Sequence, residues 1–345
     1  MIFFFFGISV SFSLLHSPFF QSMLHIILYA IVPIVVIMLA GFISGKKNIF
    51  NGDDAKKFNK VVLDYALPAA LFVSIVQSSR EMLYADLKLS LISLVVIMAC
   101  FMLVYFIFAY CFKGNTGADG AVAALINGSP TIGFLGFAVL EPIFGTTPAV
   151  ALVVAIVGIV VNAVGIPVGL SLLNASIDKQ GNARQGKKQS AWMPVIHALE
   201  QPVAWAPILA VILVLCGLKW PAWASPSFDL MAKANASMAV FSAGITLSAV
   251  QFKLNWQAIL GSILKLILMP AAALIVGLLF HMDPLNLKML VVACALPPAF
   301  SGIIISDEYN VYVATGTSSL TLSVILFIAF CPLWIWITDL ALKAF

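Results

Sequence analysis

Two apolar stretches with prolines, glycines and hydroxyl residues at their centres constrain this chain more than any other feature. The first runs from Ala124 to Leu140 and carries Asn127, Ser129, Pro130, Thr131, Gly133 and Gly136. The second runs from Ala293 to Ile305 and carries Pro297, Pro298, Phe300, Ser301 and Gly302. Proline lacks a backbone N–H and its ring collides with the carbonyl one turn back, so a helix should break at each place. Within a bilayer a broken backbone is tolerated only where protein or a watery cavity satisfies the freed groups. The two interruptions stand about half a chain apart. Broken helices at matching places in two halves point to the binding site of a secondary transporter.

Composition supplies the membrane that this argument needs. Of 345 residues, 62% are hydrophobic and 9% charged, whereas a soluble domain carries about 25% charged residues. The apolar runs are long enough for helices of ~20 residues, and the alternating pattern of barrel strands is absent. The expected class is therefore an all-α integral membrane protein. A net charge of +4 reflects loop lysines and implies no nucleic-acid partner. The five cysteines, Cys100, Cys111, Cys216, Cys294 and Cys331, fall in apolar spans without CxxC spacing. They read as buried small hydrophobes rather than disulfides or metal ligands. Residues 1–22 are Phe-rich and lack the basic start of a signal peptide. They read as an extension or lead-in, with Met23 as a second plausible start.

Ten spans can be drawn, at about 24–45, 60–78, 89–112, 118–141, 147–174, 197–218, 229–250, 256–280, 286–307 and 312–341. A basic polar segment, 175–196, divides them into a first repeat over 23–174 and a second over 197–345. Pro33 with Pro207, Pro130 with Pro298, and Glu141 with Asp307 are separated by nearly the same half-chain interval. With five spans per half, the second repeat enters the membrane inverted, and spans 4 and 9 are the broken pair. Lysines and arginines fix the orientation. Lys46, Lys47, Lys56, Lys57, Lys60, Lys113, Lys179, Arg184, Lys187, Lys188 and Lys253 fall on one side, and fewer on the other. Both termini are thus expected outside an inner (plasma) membrane.

At the breaks, the downstream half-helices would present free N–H groups and positive dipole ends, an environment suited to a carboxylate. Asn127, Ser129, Thr131 and Ser301 would add polar groups, and Gly133, Gly136 and Gly302 would permit close backbone approach. Pro130, Gly136, Pro297 and Pro298 are the expected helix breakers. Two charges lie within spans: Asp64, a candidate proton or cation coupling site, and Lys265, a candidate counter-charge for the anion. The alternatives are a boundary position for Asp64 and a structural ion pair for Lys265. Asn162 and Asn235 are expected to cross-link helices. His197, Glu200 and His281 read as boundary residues. No metalloprotease, nucleophile-elbow or phosphate-loop signature is present, so neither an enzyme nor a cofactor is expected.

The stretch Ser129–Leu140 with Phe144 and Gly145 resembles the fourth helix of auxin efflux carrier-type transporters, and Ala295–Val311 resembles their ninth. Asn59–Phe72 and Met238–Gly244 resemble their second and seventh. The resemblance covers Met23 to Trp336 and is strongest to bacterial members described as malonate-type or uncharacterised anion transporters. It implies ten helices in two inverted five-helix repeats, helices 4 and 9 crossing at the substrate, elevator-like motion, an organic anion substrate and a homodimer. The chain departs from the family in having Thr131 where asparagine is frequent. It also has Ala138 and Gly302 where the family often has proline at the crossover.

The function expected is secondary transport of a small mono- or dicarboxylate such as malonate or oxalate, with proton or sodium as coupling ion and Lys265 balancing a dianion. A sodium-coupled symporter of the bile acid type and a passive anion channel are the alternatives.

Overall fold

Side-chain caps set where the helices begin. The computed structural model describes residues 28, 31–77, 80, 87–179, 202–249 and 254–344. Helix α1 spans Val32–Lys46. Asn51 then accepts from the Asp53 and Asp54 N–H groups, and Asp54 accepts from the Asn51 N–H, starting α2 at Gly52. This capping box begins the second helix well before the expected residue 60. α2 (Gly52–Val61) continues through a π-helical segment, Val62–Ala66, into α3 (Leu67–Val76). α4 spans Leu87–Tyr110. A second capping box, Thr116 with Asp119, starts α5 (Gly117–Asn127), and the chain resumes as α6 (Ile132–Phe144). α7 (Pro148–Ile159) passes through the π-segment Val160–Gly165 into α8 (Ile166–Lys179).

The second half begins with α9 (Pro202–Cys216) and α10 (Ser225–Ala249). Asn255 caps α11 (Trp256–Ile263), which continues through the π-segment Leu264–Leu268 into α12 (Met269–Leu279). Asp283 caps α13 (Pro284–Ala295). α14 (Phe300–Tyr309) and α15 (Val313–Ala344) complete the chain. Among the described residues, five continuous helical stretches are long and apolar enough to cross a bilayer: Leu87–Tyr110, Pro148–Ile177, Ser225–Ala249, Trp256–Leu279 and Val313–Ala344. No strand occurs among the described residues. The expected linker is helical as far as Lys179; its remainder, the extension 1–22, His197 and Glu200 lie outside the described residues.

Each π-segment ends two residues before a proline, at Pro68, Pro167 and Pro270. A proline removes the donor that the carbonyl four residues earlier would use and crowds that carbonyl. Widening the helix by one residue per turn relieves the clash. At Pro270 the orphaned carbonyl is that of Leu266, and it accepts instead from the Trp334 indole N–H on α15 at 2.7 Å. Trp334→Phe removes that donor together with part of the ring. It is expected to destabilise the fold by about 1–3 kcal/mol, the cost of a buried unpaired carbonyl, read as a lower Tm in detergent; an unchanged Tm would rule the indole out as the required partner.

Small residues bring helices into backbone contact, as in membrane proteins generally. A Cβ on Gly41 of α1 would collide with the Phe241 carbonyl of α10, and one on Gly244 of α10 with the Met38 carbonyl of α1. Ser242 of α10 donates to Asn59 Oδ1 (2.6 Å) and to the Ala55 carbonyl (3.0 Å), tying α2 to the same seam. Lys288 of α13 pairs with Asp339 of α15. All five cysteines are free thiols. Cys100, Cys294 and Cys331 are buried, but Cys111 and Cys216 are exposed, because each sits at the end of its helix (α4 and α9).

Candidate functional site

The two interrupted spans meet at their breaks. Pro130 and Pro298 form an antiparallel bridge. The Thr131 N–H donates to the Pro297 carbonyl at 3.1 Å, and the Ala299 N–H to the Ile126 carbonyl at 3.0 Å. Each break thus satisfies groups that the other frees, which is the requirement for non-helical backbone in a dry interior. The crossing therefore lies at the prolines, not at Ala138 and Gly302 as the resemblance suggested. Gly136 is not a breaker either: α6 runs through it, and a Cβ there would meet Ile132 and Val154 at 3.0–3.3 Å. Its part is close packing between helices.

Downstream of the crossing, α6 and α14 both begin at one cavity of about 260 Å³. The first N–H groups of a helix have no intrahelical partner, and Ile132, Gly133, Phe300 and Ser301, the residues that carry them, all line this cavity. Thr131 occupies the N-cap of α6, where a threonine ordinarily bonds the N–H of the second or third helical residue. Here it makes no such bond, and its buried hydroxyl has no hydrogen-bond partner. The Phe134 N–H turns back to the Thr131 carbonyl at 3.3 Å, and the Thr131 side chain caps neither the Ile132 nor the Gly133 N–H. Phe134 and Phe300 flank the cavity edge-to-face, with ring centroids 5.7 Å apart. Apart from Asn162 the remaining wall, including Leu63, Val161, Ile166 and Leu170, is apolar, and among the described residues no basic side chain lines it.

The site residues expected from sequence separate into two groups. Pro130, Thr131, Gly133, Phe300 and Ser301 line the cavity. Asn127, Ser129 and Gly302 do not. Asn127 turns away, resting on Gly261 of α11 and accepting from Ser319 of α15 at 2.6 Å. Ser129 is buried, with its hydroxyl against Gly165 of the π-segment. Gly302 packs onto the backbone of α5, where a Cβ would come 2.6 Å from the Leu125 carbonyl oxygen and 2.7 Å from the Ile126 nitrogen.

Asp64 and Lys265 are also off the wall. Asp64 is half-buried on the Val62–Ala66 π-segment, next to the lining residue Leu63. Lys265 is fully buried behind the crossing, donating to the Cys294 carbonyl and to Met269 Sδ (3.3 Å). Sequence reasoning missed Asn162. Taken for a helix cross-link, it lies half-buried on the Val160–Gly165 π-segment and lines the cavity. Pro167, which forces that segment, was the available signal. Asn235 is buried, and neither end of its amide has a partner. No cluster of three or more His, Cys, Asp or Glu side chains able to hold a metal occurs among the described residues.

A second cavity, of about 390 Å³, shares Ile304 with the first and is lined by Gly52, Lys56 and Asn59 of α2 and Thr246 of α10. Its lining extends from Ile303 and Ile304 of α14 to Lys56 of α2.

Comparison with known proteins agrees with this geometry. Residues 26–335 match the family model described as membrane transport protein. An uncharacterised transporter of Escherichia coli K12, YfdV, is 53% identical over 310 residues, covering 90% of this chain and 97% of its own. MJ1031 of Methanocaldococcus jannaschii, another uncharacterised transporter, is 24% identical over 312 residues, covering 88% and 96%. An all-helical chain with two broken helices crossing at a cavity, matched over nearly its whole length, belongs to the membrane transport protein family, that of the auxin efflux carriers.

Proposed function

We propose that this transporter is a secondary carrier for a small organic anion bound through a single carboxylate at the crossing. One observation carries the reading: two half-helix N-termini open on the same cavity, beside a threonine hydroxyl with no other partner. Each helix end is equivalent to roughly half a positive charge, so the two together match about one negative charge. Ser301 and the Asn162 amide supply further donors. The apolar remainder of the wall suits an uncharged body and offers nothing to a second carboxylate. Malonate and oxalate, the substrates first expected, required Lys265 in the cavity, and it sits behind the crossing. A monocarboxylate is therefore the better fit.

The same reading takes the chain as ten spans in two inverted repeats. α4 followed by α5/α6, and α11–α12 followed by α13/α14, support it by repeating the order of long helix and broken helix. Movement is of the elevator type, carrying the crossing past α1, α2, α3, α9 and α10. The second cavity supports an exit toward the lysine-rich side. Asp64, one residue from the cavity wall, is the proton-coupling carboxylate.

Uptake of labelled acetate, lactate and benzoate into proteoliposomes, against malonate and oxalate, tests the proposal. Saturable, counterflow-competent uptake of a monocarboxylate is expected. Thr131→Val should raise its half-saturating concentration about tenfold, the loss of one charge-assisted hydrogen bond of about 1.5 kcal/mol. Uptake of dicarboxylates alone would refute the single-carboxylate site, and uptake without saturation would indicate a channel. In the same assay Asp64→Asn should abolish stimulation by an imposed pH gradient; an unaltered pH response would remove Asp64 from coupling.

A further inference from the structure

Lys265 has no part in the cavity just described, yet it is a cation with no exposed surface. Burying an ammonium costs several kcal/mol unless its surroundings compensate, and a charge at membrane depth ordinarily serves function. Its acceptors are a carbonyl and a thioether rather than a carboxylate. The carbonyl belongs to Cys294 in the last turn of α13, the upstream half of the second broken helix. That turn carries the negative end of the helix dipole and has carbonyls without intrahelical partners.

The neighbouring turn of the same element holds the other broken helix. Gly261 receives the Asn127 amide from the last turn of α5. Ser262 donates to the Ala258 carbonyl at 3.0 Å and the Ser319 carbonyl at 3.2 Å, and Ser319 donates to Asn127. The π-segment that carries Lys265 is fixed by the Trp334 indole on the Leu266 carbonyl. One element, α11 through α12, therefore grips the C-terminal ends of both upstream half-helices, while the N-terminal ends of both downstream half-helices face the cavity.

A helix C-terminal carbonyl is the setting in which a dissolved monovalent cation would bind at broken helices. Here an ammonium fills it. We propose that Lys265 is a built-in cation that takes the place of a mobile coupling cation. It holds positive charge permanently behind the substrate's carboxylate and makes substrate binding independent of sodium. The purpose of this charge rests on the anion-carrier reading, but the melting test does not.

The purified full-length protein would be melted in sodium, potassium, methylammonium and choline chloride at equal ionic strength. The wild-type Tm is expected to be the same in all four. Lys265→Ala should lose about 5 °C in choline and regain at least half of the loss in methylammonium or sodium, which enter the vacated space. A wild-type Tm raised by sodium over choline would overturn the proposal, as would a Lys265→Ala protein that no small cation restores. Should Lys265→Ala not fold, Lys265→Met keeps the volume without the charge. That variant should fold and show at least a tenfold higher half-saturating concentration for the transported monocarboxylate, and wild-type uptake by it would overturn the proposal. Absence of uptake of every carboxylate would reject the anion-carrier reading and leave the melting results standing on their own.

Discussion

Gly302→Ala is expected to lower uptake at least tenfold, and Gly302→Leu to abolish it. Gly302 lies in the first turn of α14, and its Cα faces the last turn of α5. The alanine methyl would come 2.6 Å from the Leu125 carbonyl oxygen and 2.7 Å from the Ile126 nitrogen. Both are backbone atoms, so no side chain can rotate out of the way. Either α14 or α5 must move by several tenths of an ångström. The Ile126 carbonyl also accepts from the Ala299 N–H at 3.0 Å, so the displacement loosens one of the two hydrogen bonds of the crossing. Overpacking typically costs 1–3 kcal/mol, and here the strain is concentrated where both helix ends must stay aimed at one cavity. Uptake and Tm of both variants measure the effect. Full uptake by Gly302→Ala would show that the crossing yields without losing its geometry.

Gly244→Leu should produce the larger loss of stability. Gly41 and Gly244 face each other's helices across the α1–α10 seam, each against a carbonyl of the other. A leucine there must push the helices apart along the length of the contact, and no hydrophobic force returns them, because lipid solvates the separated faces as well as the partner does. A cost of at least about 3 kcal/mol is expected, with a sharp fall in the yield of monodisperse protein. Gly52→Ala is the control: a Cβ at Gly52 meets nothing within 4 Å, so its Tm should not change. Equal Tm values for Gly244→Leu and wild type would mean that the seam is not a structural contact.

The breaks were legible in the sequence because proline acts on its own backbone. Pro130 and Pro298 stand beside serine and a second proline, and there the helices stop, whereas Pro68, Pro167 and Pro270 only widen theirs. Which side chains then reach the cavity was less legible. Asn127 and Thr131 flank the same break, but only Thr131 lines the site; the residues between them leave the helix, so helical periodicity no longer relates the two positions. Asn162 was passed over because α7, which leads into its π-segment, is apolar on every side, and no hydrophobic face distinguishes cavity from lipid. The charge of Lys265 could be read from its span, but not the end of α13 that it serves. That contact joins residues far apart in sequence, through a widened turn imposed by Pro270.

The paired hydrogen bonds at the crossing also set an order of events in biosynthesis. Thr131 and Ile126 are made in the first half of the chain, and their partners Pro297 and Ala299 in the second. At about 5–20 residues per second, the first break waits roughly ten to thirty seconds for the backbone that will complete it. During that interval a donor and an acceptor at membrane depth must be held by water or by the insertion machinery. The crossing is therefore among the last parts of the protein to form, and a nascent chain arrested before Pro297 would present an unclosed gap to the quality-control proteases of the membrane.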